Sequence, residues 1–153
     1  HPQRFDEVAM LIERSGLKYQ RRSRDETTRG DTQIMLGDSM GEMFAYYAVC
    51  DVAFIGGSLL PFGGQNLIEA CAVGKPVLIG PHTYNFAQAS ELAIACGAAQ
   101  RVADADAIAS ALQNLFANPE QIQKMSIAGL YFVQSNQGAT EHALAQVSKA
   151  INS

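Results

Sequence analysis

The sequence predicts an α/β fold in which an open parallel sheet is followed by a helical C-terminal tail. Three observations lead to this prediction. Short apolar runs alternate with segments of helical periodicity, glycine and proline separate the two kinds of segment, and the last fifty positions show helical patterns only. Such sheets bind ligands beyond the carboxyl ends of their strands, so the loops that follow the strands are the places to look for a site.

The first third of the chain is predicted to contain a helix, two short strands and a second helix. Residues 4–15 place apolar side chains at helical spacing, and Gly16 follows at a position where glycine is favoured because the chain often turns left-handed just past a helix end. The next three elements are predicted over residues 17–22, 32–36 and 40–50.

The middle of the chain contains the strands that favour a buried sheet. Residues 51–55 and 76–79 are mainly apolar runs ended by glycine, which is typical of strands covered on both faces of a parallel sheet. A last strand is predicted over residues 98–102. The helices between these strands are predicted over residues 66–73 and 86–96.

The C-terminal tail is predicted to form three helices. Pro119 stands where proline is tolerated in the first turn of a helix, and Gly138 is interpreted as the break between the second and third helices. The helices are predicted over residues 107–117, 119–135 and 139–151.

Length and composition predict one globular domain over residues 1–153. Of the 153 residues, 48% are hydrophobic and 17% are charged, and a chain of this length buries a core without disulfides or structural metals. The three cysteines form no C-x-x-C pair, which argues against a zinc knuckle and is typical of a reducing compartment. No apolar run reaches the roughly 18 to 20 residues that cross a bilayer, so we expect this chain to be soluble.

The charge distribution argues against nucleic-acid binding. The net charge is −4, and seven of the eleven Lys and Arg residues lie within the first 31 positions, which leaves the rest of the chain acidic. Neutralising phosphates requires a broad basic face, which an acidic chain does not offer. One local basic cluster is interpreted as a solvated loop with charges of both signs, and it consists of Arg21, Arg22, Arg24 and Arg29.

Two glycine pairs lie in the loop that follows residues 51–55. The loop reads GGSLLPFGGQNLIEA and leads into the helix predicted over residues 66–73. Paired glycines let the backbone approach a ligand closely, and N–H groups at a helix start favour an anion, so the pattern predicts a phosphate site. The loop matches neither the Walker pattern nor the dinucleotide G-x-G-x-x-G pattern. The alternative is a surface turn that requires positive φ angles, and the glycines alone do not decide between the two.

Asn66 and Glu69 favour the nucleotide interpretation of this loop. Glu69 falls in the first turn of the helix, where a carboxylate can accept hydrogen bonds from the two hydroxyls of a ribose. Each residue also has a purely structural explanation, because Asn66 can cap the helix and Glu69 can complement the helix dipole. The glycine pairs, the amide and the acid together predict a nucleotide site.

The loop after residues 32–36 contains a second candidate segment. Ser39 and Glu42 match the S-x-x-E capping box, in which each side chain bonds the backbone N–H of the other residue. Gly41 would then lie in the first helical turn at a cost of about 1 kcal/mol relative to alanine, which suggests that the backbone approaches a ligand there. The sequence supports a capping box and a ligand role about equally.

Several stretches of the sequence resemble the C-terminal half of the 3-deoxy-D-manno-octulosonic acid (Kdo) transferases of Gram-negative bacteria. They read D-S-M-G-E at residues 38–42, F-I-G-G-S-L with G-G-Q-N-L-I-E within residues 54–69, and G-K-P-V-L-I-G-P-H-T-Y-N-F at residues 74–86. The opening H-P-Q-R-F and the late N-Q-G-A at residues 136–139 match too. The resemblance implies a Rossmann-like C-terminal domain of the two-domain GT-B architecture, whose N-terminal acceptor domain is absent from this sequence.

The resemblance also implies which residues hold the donor, CMP-Kdo. The family's contacts with the CMP part fall on two segments, with further glycines and a serine close by. Gln65 stands where the family usually has histidine and Leu67 where it usually has proline, and Gln65 cannot carry a proton, which argues against an acid–base role at that position. The implied donor-binding residues are Met40, Gly41, Glu42, Ser58, Gly63, Gly64, Asn66, Leu67, Ile68 and Glu69.

The implied reaction is the inverting transfer of Kdo from CMP-Kdo to a lipid A precursor in lipopolysaccharide biosynthesis. The resemblance places the carboxylate base and the lipid acceptor site in the N-terminal half, so no catalytic residue is expected here and this chain alone should be inactive. It also implies that the whole protein works on the cytoplasmic face of the bacterial inner membrane. No metal or other cofactor is expected, since His82 has no Cys, His or carboxylate at the spacing of a metal site.

Two other functions are compatible with the sequence. One is a different nucleotide-sugar transferase, or an epimerase, of GT-B architecture, such as an enzyme that uses a UDP-sugar. The other is a non-catalytic regulatory domain with an α/β sheet and no nucleotide. The glycine pairs with Asn66 and Glu69 argue against the regulatory domain.

Overall fold

The computed structural model describes residues 2–151, with side chains described up to residue 136, so His1 of the matching opening lies outside the described residues. The backbone falls into two compact units, one ending at Met43 and the other beginning at Phe44. The strands pair in two parallel sets, with two strands in the first unit and three in the second.

The first unit contains one helix and a two-stranded parallel sheet. Helix α1 spans Phe5–Ser15 and ends at Gly16 in a left-handed conformation, as predicted. Strands β1 (Tyr19–Arg21) and β2 (Ile34–Leu36) pair in parallel and are shorter than predicted. Just before the paired residues, the Lys18 N–H donates a hydrogen bond to the side-chain oxygen of Gln33 in place of a backbone carbonyl of the neighbouring strand.

Helix α2 spans Met43–Val49 and begins three residues later than predicted. Residues 39–41 form a bend before it, in which Gly41 has a φ of +80°. The prediction that Gly41 lies in the first helical turn is therefore wrong. Glycine suits this position because the left-handed bend is strained for residues with a Cβ.

The second unit contains a three-stranded parallel sheet with its middle strand fully buried. Strands β3 (Ala53–Ile55), β4 (Val77–Ile79) and β5 (Ala99–Arg101) pair in that order. Every residue of β4 is buried, whereas Phe54 of β3 is 39% exposed. The prediction of burial on both faces is confirmed for β4 and wrong for β3, because an edge strand is less completely covered by the helices packed on a sheet.

The helices around this sheet follow the predicted order with shifted ends. Helix α3 (Ile68–Ala72) has five residues and is shorter than predicted, and helix α4 (Ala87–Ala95) follows a single 3-10 turn over Tyr84–Phe86. Helix α5 (Ala105–Ala117) begins earlier than predicted, because Asp104 caps it by accepting a hydrogen bond from the Ala107 N–H at 2.8 Å.

Helix α6 runs without interruption over Pro119–Ile151. The predicted break at Gly138 is wrong, because one glycine costs a helix only about 1 kcal/mol relative to alanine and its neighbours are helix formers. Within the part of the chain that the structure describes, no helix combines the length and apolarity of a membrane span.

The core of the second unit lies on both faces of its sheet. The larger cluster joins Val77 and Ile79 of β4 to residues of α3, α4 and α6, and the smaller cluster joins Leu78 to residues of α5 and α6. Because side chains alternate between faces along a strand, β4 supplies both clusters. Helices packed on both sides hold the carboxyl edge of the sheet, from which the loops of the candidate site extend.

Candidate nucleotide-binding site

The predicted site residues fall on two segments, one in each unit. Residues 38–42, the acidic turn, belong to the first unit and contain the first three predicted donor contacts. Residues 56–67, the glycine loop, belong to the second unit and lead into α3, whose first two residues complete the predicted set.

Asp38 anchors the acidic turn to β1 and to the 3-10 turn over Arg22–Arg24 that follows this strand. Its side chain is 1% exposed, and its Oδ2 accepts hydrogen bonds from Arg21 Nε at 2.5 Å and from Ser23 Oγ at 2.7 Å. Its Oδ1 accepts a third bond from the Ser23 N–H at 2.8 Å. Burial raises the pKa of this carboxyl, but the bonds from Ser23 and Arg21 outweigh burial and hold the pKa at about 2.

Glu42 is oriented by two other side chains of the first unit. Arg22 Nη2 donates to Glu42 Oε1 at 2.9 Å, and Ser39 Oγ donates to Glu42 Oε2. Met40, which lies between Ser39 and Glu42 in the chain, is 71% exposed, so its side chain is accessible to a ligand.

The acidic turn corrects the interpretation of the arginine cluster. Arg21 pairs with Asp38 and also with Asp6, at 2.8 Å, and Arg22 pairs with Glu42 and with Asp25. The prediction of a solvated loop is therefore wrong for Arg21, which pairs with the buried Asp38, whereas Arg22 stays 40% exposed. Sequence reasoning missed the pairs with the acidic turn because they join positions 17 and 20 residues apart, beyond any local pattern.

Ser58 fastens the glycine loop to the loop after β4, residues 80–86. Its side chain is fully buried, and its Oγ donates to the Ile55 carbonyl at 2.5 Å and accepts from the Gly80 N–H at 2.8 Å. The Ser58 carbonyl accepts a further bond from the His82 N–H at 2.9 Å. Ser58, a predicted donor contact, therefore holds the two loops together.

Gly63 and Gly64 are buried, and both have positive φ angles, of 87° and 76°. A Cβ on Gly63 would collide with the side chain of Asn85 and lie 2.6 Å from Cε2 of Tyr84. The glycine at position 63 is therefore required by the close approach of the 80–86 loop, in addition to its backbone angle. Close approach of a phosphate to this pair stays a prediction.

Asn66 and Glu69 meet at the start of α3. Asn66 Oδ1 accepts a hydrogen bond from the Ile68 N–H at 3.0 Å, and Asn66 Nδ2 donates to Glu69 Oε1 at 3.1 Å. The N-cap position of α3 is Leu67, which makes no side-chain cap bond, so the prediction that Asn66 caps the helix is wrong and its side chain closes a turn just before α3. Among the described residues, Glu69 Oε2 has no hydrogen-bond donor. Burial of Tyr47, followed by the negative charge of the nearby Glu69, raises the pKa of Tyr47. Glu69 itself is half-buried.

Leu67 and Ile68 differ in what they can offer a ligand. Leu67 is 1% exposed and belongs to the larger core cluster, so the whole residue is buried, whereas Ile68 is 39% exposed. Because α3 has only five residues, its dipole is weaker than that of the longer helix predicted from the sequence. The oriented Glu69 carboxylate is the clearest ligand feature of this segment.

Sequence reasoning missed Arg101, which supports the 80–86 loop from the end of β5. Its Nη1 donates to the Gly80 carbonyl at 2.8 Å and to Thr83 Oγ1 at 3.4 Å, and its Nη2 pairs with Glu91 at 2.6 Å. The available signal was a single cation at the carboxyl end of a predicted strand, the edge at which such sheets bind ligands.

The described residues contain no cluster that suggests a metal centre. No three His, Cys, Asp or Glu side chains in this part of the chain lie close enough to hold an ion.

The chain is similar in sequence to known transferases. No protein-family model matches it. It is 48% identical over 145 residues to the 3-deoxy-D-manno-octulosonic acid transferase of Bordetella pertussis and 37% identical over 145 residues to that of Haemophilus influenzae. Each match covers 94% of this chain and 34% of the relative, so the chain spans about a third of the length of these curated relatives.

The chain is also similar to a solved structure. The crystal structure of the C-terminal CMP-Kdo binding domain of WaaA from Acinetobacter baumannii matches it with a TM-score of 0.84 and 33% sequence identity. The match covers 88% of this chain and 70% of that one. This likeness confirms the predicted class of fold, with parallel strands in open sheets and a C-terminal helix.

Proposed function

This chain belongs to the 3-deoxy-D-manno-octulosonic acid (Kdo) transferase family and corresponds to its C-terminal domain, and on that premise we propose that it binds the donor CMP-Kdo. The likeness to a solved CMP-Kdo binding domain is the observation that carries the proposal. In a protein of the relatives' full length, the reaction would be the inverting transfer of Kdo to a lipid A precursor.

Glu69 is proposed to bind the ribose of the donor. Asn66 Nδ2 holds Oε1 of this carboxylate, which leaves Oε2 to accept hydrogen bonds from the ribose hydroxyls. A side chain that is already oriented loses less conformational freedom when the ligand binds, so the Asn66 contact favours binding. In this role Asn66 acts on the donor through Glu69.

The other predicted residues are proposed to contact the donor through backbone and exposed groups. Gly63 would present its backbone N–H to the phosphate, and Gly64, whose N–H donates to the Gly57 carbonyl at 2.9 Å, would hold the turn beside it. Ser58 keeps the adjoining loop in place. Met40 offers an exposed, polarisable thioether, which suits the face of a flat base. The backbone at Gly41 and the carboxylate of Glu42 complete the proposed set.

We assign the catalytic base and the lipid acceptor site to parts of the full-length protein outside this sequence. The 153 residues are therefore expected to bind donor without transferring Kdo, because positioning both reactants is a large part of catalysis. The full-length enzyme is proposed to act at the cytoplasmic face of the inner membrane. Neither a metal nor another cofactor is proposed.

Calorimetric titration with CMP, UMP and UDP tests the donor class. We expect CMP to bind more tightly than UMP and UDP. A preference for a uridine nucleotide would instead favour another nucleotide-sugar transferase or an epimerase. The absence of binding by all three nucleotides would favour a regulatory α/β domain and contradict the proposal.

The ribose contact is tested by comparing CMP with 2′-deoxy-CMP in the parent chain and in Glu69→Ala. The parent is expected to prefer CMP by roughly 1.5 to 3 kcal/mol, the range for a hydrogen bond to a charged group, and Glu69→Ala should lose most of that preference. Glu120→Ala, which removes an exposed acid on α6, is the matched control and should keep it. An unchanged preference in Glu69→Ala would return this residue to a purely structural role.

A further inference from the structure

Arg101 connects three parts of the second unit at the carboxyl edge of its sheet. It stands at the end of β5 and donates hydrogen bonds to the backbone of Gly80, to the side chain of Thr83 and to Glu91 on α4. The guanidinium group suits this task because its planar fork directs several N–H groups to separate acceptors at fixed angles. Arg101 therefore ties the 80–86 loop to the strand and helix that follow it in the chain.

The 80–86 loop in turn holds the glycine loop at several points along its length. Besides the bonds through Ser58, the Tyr84 hydroxyl donates to the Pro61 carbonyl at 2.6 Å, and Asn85 Nδ2 donates to the Phe62 carbonyl at 3.2 Å. The Asn85 N–H donates to the Gly63 carbonyl at 3.1 Å. The position of the glycine pair thus depends on the position of the 80–86 loop.

We propose that Arg101 is a positioning residue for the phosphate part of the donor, acting through the 80–86 loop on the backbone of Gly63, whose carbonyl accepts from the Asn85 N–H. This inference rests on the proposed binding of CMP-Kdo. It goes beyond it by assigning a role in phosphate recognition to a side chain outside the predicted contacts. Because the support is mechanical, its loss should affect the phosphate more than the nucleoside, whose ribose is held separately by Glu69.

The test compares the affinities of CMP and cytidine, which differ only in the phosphate, in the parent chain and in Arg101→Met. The parent should prefer CMP. In Arg101→Met we expect CMP to bind about tenfold more weakly, equivalent to about 1.4 kcal/mol, while cytidine affinity changes by less than about twofold. General damage to the fold would weaken both ligands equally, so the CMP-to-cytidine ratio separates positioning from destabilisation.

Three further variants control for charge and for the individual bonds. Arg101→Lys keeps one donor within reach of the Gly80 carbonyl and should recover part of the ratio. Glu91→Ala breaks the ion pair but leaves both bonds to the loop, so it should bind both ligands as the parent does. Arg14→Met removes an exposed cation from α1 and should also leave the ratio unchanged.

Tyr84→Phe tests the same route if Arg101→Met does not fold. It removes only the hydroxyl bond to Pro61 and should reduce the CMP-to-cytidine ratio by about threefold, consistent with the net contribution of one neutral hydrogen bond. Failure of the parent chain to bind CMP would overturn the proposed function itself. Binding by the parent together with an unchanged ratio in Arg101→Met, or in Tyr84→Phe if the former is unfolded, would overturn the role of Arg101 alone.

Discussion

Charged side chains hold the acidic turn, whereas backbone groups and neutral side chains hold the glycine loop. In the acidic turn, Asp38 and Glu42 accept hydrogen bonds from Arg21 and Arg22. In the glycine loop, the contacts with the 80–86 loop run through carbonyls, N–H groups, a serine, a tyrosine and an asparagine. Predicted donor contacts lie in both segments, yet the physical support of the two segments is different.

This difference predicts opposite sensitivities in the two segments. Ion pairs weaken when a carboxylate is protonated or when salt screens the two charges. Close backbone packing responds hardly at all to pH or salt but tolerates no added volume. Substitutions and solution conditions can therefore perturb one segment without the other.

The largest effect is expected from Gly80→Ala in the glycine-loop contact. A Cβ at this position would overlap the Ser58 backbone and lie 2.6 Å from the Leu59 nitrogen, so one of the two loops must move. Overpacking of this kind should lower the free energy of unfolding by about 3 kcal/mol, measured by urea denaturation.

Gly56→Ala is the matched control, because no atom lies within 4 Å of a Cβ there and its φ is not in the left-handed region. It should change the unfolding free energy by less than about 0.5 kcal/mol. Equal stabilities of the two alanine variants would mean that the contact between the loops is looser than the structure indicates.

The second effect concerns pH and the acidic turn. The pKa of Asp38 is lowered from 3.8 to about 2 in the folded chain, so its contribution to stability is complete above about pH 4 and is lost as the pH falls through 2. At 1.36 kcal/mol per pKa unit, the whole shift would correspond to roughly 2.4 kcal/mol of unfolding free energy. We expect a smaller loss, of about 1 to 2 kcal/mol, because the partly exposed Arg21 partner is screened by solvent.

Urea denaturation at pH 2 to 6 measures this loss in the parent and in Asp38→Asn. The variant should be less stable than the parent at pH 6, and the difference between them should shrink toward pH 2. Asp51→Asn, which neutralises an exposed acid, controls for general charge effects. A constant difference across this pH range would show that the Asp38 carboxylate is not held by Arg21 and Ser23 in solution.

A third and smaller effect is expected at the end of the glycine loop. Asn66→Ala removes the acceptor for the Ile68 N–H and should destabilise the chain by about 1 kcal/mol, the usual net contribution of one hydrogen bond. Asn66→Ser keeps a side-chain oxygen as acceptor and should restore most of the loss in thermal melts. This effect should be independent of salt, and a strong salt dependence would contradict a neutral hydrogen bond.

The smallest effect is expected for Arg22→Gln, since its pairs with Glu42 and Asp25 are partly exposed. The variant should melt slightly below the parent at low ionic strength. At about 1 M salt, where the screening length falls to about 3 Å, the two melting temperatures should converge. A difference in melting temperature that persisted at high salt would indicate that Arg22 contributes through packing instead of charge.

The comparison also shows which parts of the site sequence patterns can reveal. Paired glycines followed by Asn66 and Glu69 predicted a tight loop and a capped helix, and the structure contains the loop, whereas α3 begins after Leu67 without a side-chain cap. The support of Asp38 by Arg21 and of Gly80 by Arg101 left no such pattern, because the partners are 17 and 21 residues apart. The predicted start of α2 failed for a related reason, since a locally favourable helix pattern was overridden by the bend at Gly41.

By itself, the sequence determined the order and type of most elements, the helix end at Gly16, and the fully buried strand β4, since each depends on the properties of neighbouring residues. Only the tertiary structure decided the separate pairing of the strands in two parallel sets. It also decided which glycine faces another loop, and which arginine supports that loop. These features depend on contacts between distant segments, whose free energies exceed the small local preferences that a sequence pattern records.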